Sequence, residues 1–150
     1  MKRMQIRAFR EEDEEAVIAL WHRCDLVRPW NDPRQDIARK AGAQPELFLV
    51  GLIDGSVVAS VMGGYEGHRG WINYLAVAPE CQGRGHGRTM MMEAERLLRE
   101  RGCPKINLQI RRGNTAVTAF YSHLGYRDDD VVSMGKRLDN DHAPPPNEEA

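Results

Sequence analysis

Along most of the chain, apolar positions recur either every second residue or three to four residues apart, the spacings of strands and helices. Met4 to Phe9 interleaves Met, Ile and Phe with Gln and Arg, which predicts a half-buried first strand. Glu11 to Glu15 is an unbroken acidic run, and Val17, Leu20, Trp21 and Cys24 then follow at i, i+3, i+4 and i+7. Acidic residues favour the positive end of a helix dipole, so the run reads as the start of an amphipathic helix. Two prolines break the period between Asp25 and Pro33, and Asp32-Pro33 suits the start of a second short helix through Ala41. Glu46 to Ile53 and Val57 to Tyr65 are apolar runs joined at Asp54-Gly55-Ser56, which predicts a hairpin. Gly63-Gly64 reads as the end of the second of these strands or a bulge, and a polar loop from Tyr65 to Gly70 follows.

Trp71 to Val77 is a further strand. Beyond it a helix continues to about Arg101, with Met90, Met91, Ala94, Leu97 and Leu98 on one side, until Gly102 and Pro104 stop it. Lys105 to Ile110 predicts a strand, Asn114 to Leu124 a short helix ended by Gly125, and Val131 to Leu138 a last strand. Together these elements predict an α/β (α+β) domain, a mixed sheet covered by helices.

Length and composition narrow the picture. A chain of 150 residues, 41% hydrophobic, suits one domain with a real core, here 1–138. The tail from Asp139 to Ala150 holds three consecutive prolines and no large apolar side chain, so it is expected to stay disordered. A formal charge of −1 and a pI near 6.5 argue against a general nucleic-acid or membrane surface. Cys24, Cys81 and Cys103 include no Cys-x-x-Cys pair, which points to a reducing, cytoplasmic setting and gives no metal site. There is no apolar h-region after Met1-Lys2-Arg3-Met4, and no run nears the ~20 apolar residues of a membrane span.

The chemistry is concentrated in Leu75 to Thr89, Leu-Ala-Val-Ala-Pro-Glu-Cys-Gln-Gly-Arg-Gly-His-Gly-Arg-Thr. Glycines at 83, 85 and 87 let backbone N–H groups face a ligand at the start of a helix, where donors are unsatisfied and the dipole is positive. Arg84 and Arg88 add charge suited to phosphate. A Walker loop needs Lys after its last glycine, where Arg88 stands, and the dinucleotide fingerprint lacks its third glycine. What fits is Gln-x-x-Gly-x-Gly, present as Gln82-Gly83-Arg84-Gly85-His86-Gly87.

With the strand before this loop and Asn114 to Tyr126 behind it, the chain resembles the GCN5-related N-acetyltransferase (GNAT) family over roughly residues 4 to 138. The resemblance implies a sheet of six to seven strands with about four helices, and acetyl-coenzyme A as acetyl donor. It implies that the amides of Gln82, Gly83, Arg84, Gly85, His86, Gly87 and Arg88 hold the pyrophosphate, and that the backbone of Leu75, Ala76 and Val77 meets pantetheine and the thioester oxygen. The segment Asn-Thr-Ala-Val-Thr-Ala-Phe-Tyr-Ser-His-Leu-Gly-Tyr matches the family's pattern apart from Tyr126. In relatives the asparagine at Asn114 contacts the cofactor, and the tyrosine at Tyr121 protonates the departing thiolate.

The proton acceptor is open. Ribosomal-protein N-terminal acetyltransferases of the RimI type carry a glutamate where this chain has Gln109, and histone-type relatives carry one early in the cofactor strand, near Trp71. Glu66 and His68 in the preceding loop, Asp25, Asp32 or an ordered water remain, with Glu66 first. Trp30, Asn31, Asp32 and His68 are expected to line the acceptor pocket. The acceptor is then a small-molecule amine or a protein N-terminus, and an exposed sheet edge could pair with a second copy to form a homodimer. A non-catalytic coenzyme A sensor is the rival reading, and an ATP- or NAD-binding regulator a further one.

Overall fold

The structure, a computed structural model, describes residues 2–139. Five strands and four α-helices follow one another as β1 (Gln5–Ala8), α1 (Glu14–Arg23), α2 (Pro33–Ala41), β2 (Phe48–Ile53), β3 (Ser56–Tyr65), β4 (Gly70–Val77), α3 (His86–Glu100), β5 (Ile106–Asn107) and α4 (Thr115–His123). In the sheet the spatial order is the chain order. The pairs β1–β2, β2–β3 and β3–β4 are antiparallel, and β4–β5 is parallel across the α3 crossover.

The core lies on both faces of the sheet because β2 and β3 are apolar at nearly every position. Phe48 and Ser60 face α1: Trp21 stacks near Phe48 with ring centroids 6.1 Å apart, and its indole N–H donates to Ser60 Oγ at 2.9 Å. The alternate positions, Gly51 and Ala59 among them, face the Met90 side of α3. The acidic run does start a helix, through a 3-10 turn at Glu11–Asp13. The turn's last carboxylate, Asp13, is buried and takes a bidentate pair from Arg7 of β1, at 2.7 and 2.9 Å, which holds it below the usual carboxylate range.

Four sequence expectations change. The sheet has five strands among the described residues, in place of six to seven. Only Ile106–Asn107 of the run from Lys105 to Ile110 pairs as a strand. No strand forms over Val131 to Leu138, where Val131, Val132, Met134 and Leu138 are all well exposed. Asp130 adopts a left-handed φ of 55°, which breaks the extension needed for a ladder, and side chains tether the segment to β5 instead. Lys105 Nζ and Asn107 Nδ2 each donate to Asp129 at 2.8 Å, and Gln109 donates to Ser133. Gly63-Gly64 neither ends β3 nor bulges it; the irregularity falls between Ser60 and Met62. The expected tail disorder concerns residues of which all but Asp139 lie outside the described range. No described helix is long and apolar enough to cross a membrane.

Candidate active site

The site is organised by what happens to β4 halfway along its length. Gly70 and Trp71 pair with β3 on one side and with Ile106 and Asn107 of β5 on the other. Beyond Trp71 only the β3 side continues, so β4 and β5 part. On that continuing side Asn73 sits opposite Met62 and Ala76 opposite Ser60, three steps against two, so β4 carries one extra residue. The bulge centres on Tyr74, whose φ of 54° is unusual for a bulky side chain. Such strain costs roughly 1–3 kcal/mol and persists only where neighbours impose it. Here Trp21 stacks on the Tyr74 ring at 3.8 Å and 11°, and Ser60 Oγ donates to the Tyr74 carbonyl at 2.8 Å.

At the end of β4, a turn at Pro79–Cys81 leads into the glycine loop. Gly83 and Gly85 take φ of 78° and 83°, and Gly85 is the N-cap of α3. A left-handed residue at that position aims the next amides outward. Among the described residues, no acceptor is bonded by the backbone N–H groups of residues 83–88; the first helical bond is Thr89 N–H to Gly85 O, at 3.0 Å. Gly87 has a different reason to be glycine. A Cβ there would lie 3.1 Å from Phe120 Cζ, so α4 leans directly on the loop. Arg84 and Arg88 are exposed beside it, and the Gln82 amide folds back to donate to Val77 O at 2.9 Å. A cradle of free amides at a helix start, with two guanidinium groups and an open strand edge leading into it, fits a pyrophosphate with an extended arm.

Helix α4 is capped by Asn114, whose Oδ1 accepts from Val117 N at 3.3 Å, and it brings Tyr121 into the core at 8% exposure. Phe120 and Tyr126 meet the Tyr121 ring edge-on at 5.0 and 5.6 Å. Burial pushes its phenol up to about 12, so the proton is retained at neutral pH. The aromatic change at Tyr126 has a structural role: its hydroxyl donates to Glu95 of α3 at 2.6 Å, fastening the end of α4 to the helix that carries the cradle.

The acceptor-side residues are less uniform. Trp30 is half-buried under the Arg111 guanidinium, 4.6 Å from its ring centroid, and its carbonyl accepts from Arg137. Asn31 Oδ1 lies 3.4 Å from the same Arg137. Asp32 is committed to capping α2, accepting from the N–H groups of Arg34 at 2.9 Å and Gln35 at 3.4 Å. Glu66 accepts from the backbone N–H of Arg69 and, at 2.6 Å, of His68, and these bonds hold it below the usual carboxylate range. It is exposed, as is His68. The expectations missed Trp21, Ser60, Tyr74 and Asp36, the last of which accepts from Tyr74 Oη at 2.6 Å. One signal was available: the alternation of β4 slips at Asn73-Tyr74-Leu75, where two large residues follow each other.

A parted strand pair ending in an amide cradle, with a buried, protonated phenol on the helix packed against it, is the architecture of an acyl-coenzyme A-dependent transferase. Residues 8–126 match the Acetyltransferase (GNAT) family. The chain is 52% identical over 138 residues to Acetyltransferase ECA0875 of Pectobacterium atrosepticum, covering 92% of this chain and 98% of that one. Among solved structures, Ard1 from Thermoplasma volcanium superposes with a TM-score of 0.71 at 26% identity, covering 81% of each chain. The ribosomal-protein-S18-alanine N-acetyltransferase from Escherichia coli, at 22% identity and a TM-score of 0.69 over 82% of this chain and 77% of that one, shares the fold. The chain belongs to the GNAT acetyltransferase family, whose acetyl donor is acetyl-coenzyme A.

Proposed function

We propose that the protein transfers an acetyl group from acetyl-coenzyme A directly to a primary amine, on a small molecule or a protein N-terminus. The observation that carries this reading is the parting of β4 from β5 above the free amides of residues 83–88. Leu75, Ala76 and Val77 would meet the pantetheine arm and thioester, the loop from Gln82 to Arg88 the pyrophosphate, and Asn114 the cofactor from the α4 side. When bound, the cofactor supplies an activated acetyl thioester. A β4 backbone N–H would steady the developing oxyanion, and the Tyr121 hydroxyl would return a proton to sulfur.

Glu66 is one proton acceptor in this reading, although the loop amides that hold it acidic weaken it as a base. Gln109 in place of a RimI-type glutamate favours a small-molecule acceptor, and Trp30, Asn31, Asp32 and His68 would border it. The segments 28–33, 67–70 and 101–106 resemble the small bacterial acetyltransferase YpeA, which supports a stand-alone enzyme, and the cysteine usage supports a cytoplasmic one. The rival, a sensor that keeps the cradle and lacks turnover, is disfavoured by a buried, proton-bearing Tyr121.

Thermal unfolding with acetyl-coenzyme A, coenzyme A, ATP and NAD tests the reading. A ligand at 100 times its dissociation constant stabilises by about 2.7 kcal/mol. Stabilisation confined to the two coenzyme A ligands is expected; none with either would overturn it.

A further inference from the structure

The bulge in β4 brings together two groups that no family pattern marked: Tyr74 from the strand and Asp36 from the first turn of α2. Their bond, Tyr74 Oη donating to Asp36 Oδ2 at 2.6 Å, spans 38 residues of sequence. The phenol is fixed from three directions. Trp21 lies flat against the ring, Ser60 holds the Tyr74 carbonyl, and the left-handed backbone points the side chain toward α1 and α2. Tyr74 directly precedes Leu75, the first residue of the stretch given to the thioester in the proposed function, on which this inference rests.

The other carboxylates on this side are occupied or distant from the bulge. Asp32 caps α2, Asp25 is exposed with Arg28 3.6 Å away, and Glu66 is bonded to its own loop. Asp36 is different. Its side chain is 28% exposed, its nearest cation is Arg39 at a loose 3.8 Å, and one oxygen receives the Tyr74 proton. A phenol that donates to a carboxylate turns its own lone pairs outward, where they can accept from an incoming N–H.

We propose that Asp36 and Tyr74 are the proton-accepting pair of the acetyl transfer, taking a proton from the acceptor ammonium at Tyr74 Oη while the Tyr74 proton passes to Asp36 Oδ2. The carboxylic acid so formed releases that proton to solvent. The neutral amine nitrogen then bonds to the thioester carbonyl carbon, and the carbon–sulfur bond breaks. Sulfur takes the Tyr121 proton, and the proton that nitrogen sheds as the amide forms returns to Tyr121. The acceptor is therefore an amine that arrives as a cation, drawn to Asp36 and, behind it, Asp32.

Burial and the Asp36 carboxylate both keep the Tyr74 phenol well above its ordinary range, which makes it a relay and not a free phenolate. Asp32 adds to this from the start of α2.

The test compares two small amines at about pH 7.5: ethylamine, an ammonium like lysine there, and hydroxylamine, a weaker base that is mostly neutral. Asp36→Asn should slow transfer to ethylamine at least about 100-fold and change transfer to hydroxylamine less than about threefold. Tyr74→Phe, which keeps the stack on Trp21, should slow ethylamine in the same direction, and Glu100→Gln, an exposed change on α3, should change neither by more than about threefold. A second readout is independent of turnover. The Tyr74 ring-carbon titration, followed by carbon-13 NMR, should move back toward an ordinary phenol in Asp36→Asn. Equal ethylamine rates in wild type and Asp36→Asn overturn the proposal, and so does equal slowing with both amines. Loss of the coenzyme A thermal shift in wild type would instead sink the reading beneath it.

Discussion

The two halves of the proposed site are built from different materials. The cofactor half is backbone: amides of one continuous loop, the open edge of β4 and a helix start. The acceptor half is side chains gathered from afar, with Trp21 reaching Ser60 across 39 residues and Tyr74 reaching Asp36 across 38. A backbone site needs small residues at fixed local spacing and tolerates change in most side chains. A side-chain site needs particular atoms in particular places, held by packing, and so can change its specificity without altering the fold.

Substitutions can break this contrast, beginning with the largest expected effect. Tyr121→Phe should lower kcat by roughly 100- to 10,000-fold, as loss of a general acid does, with coenzyme A affinity little changed by calorimetry. An unaltered kcat would remove Tyr121 as the acid. Because its phenol is pushed up to about 12, the proton needed for that role should persist through pH 10, and the alkaline fall in rate should lie above the normal phenol range. The same shift makes the folded state hold a proton that the unfolded chain has lost between about pH 10 and 12, so stability should decline across that window. In Tyr121→Phe this part of the decline should vanish from urea titrations.

Next, Trp21→Ala removes a fully buried ring, its stack on Tyr74 and its bond to Ser60, and should cost about 3–5 kcal/mol in denaturant unfolding. A cost below about 1 kcal/mol would mean that the acceptor half is not held by packing. On the backbone half, Gly85→Ala places a Cβ at a φ of 83° and should cost roughly 1–2 kcal/mol, read as about tenfold weaker coenzyme A binding if the loop reshapes. Glu66→Gln comes last. Its carboxylate staples a surface loop, and its lowered pKa contributes stability above its unfolded value that is lost as pH falls through the folded one. Little more than that acid-side effect is expected in a melting curve against pH.

The same division explains what the sequence disclosed. The glycine spacing, the strand before it and the Asn114 to Tyr126 pattern are local signals, so the glycine loop at the start of α3 and most elements could be read directly. Asp36 and Tyr74 are ordinary residues of a helix and a strand until the bulge turns one toward the other, and nothing local announces a left-handed tyrosine. The sixth strand was misread for a complementary reason. Val131 to Leu138 has strand composition, but Asp128-Asp129-Asp130 before it prefers side-chain bonds to Lys105 and Asn107 over a ladder. Trp30 was rightly placed in a loop beside α2, although its contact with Arg111 depends on how β5 continues past its short pairing.

The strand order, identical to the chain order, also bears on how the protein comes into being. Strands β2, β3 and β4 each pair with the neighbour in sequence across short loops, so their ladders can form early, even as the chain emerges, whereas β1 reaches β2 across α1 and α2. The fifth strand waits for α3 and is then joined through two residue pairs, leaving the half that ends in α4 as the last and loosest cooperative unit. Amide exchange should therefore proceed through opening of the β5–α4 unit well before the antiparallel sheet yields.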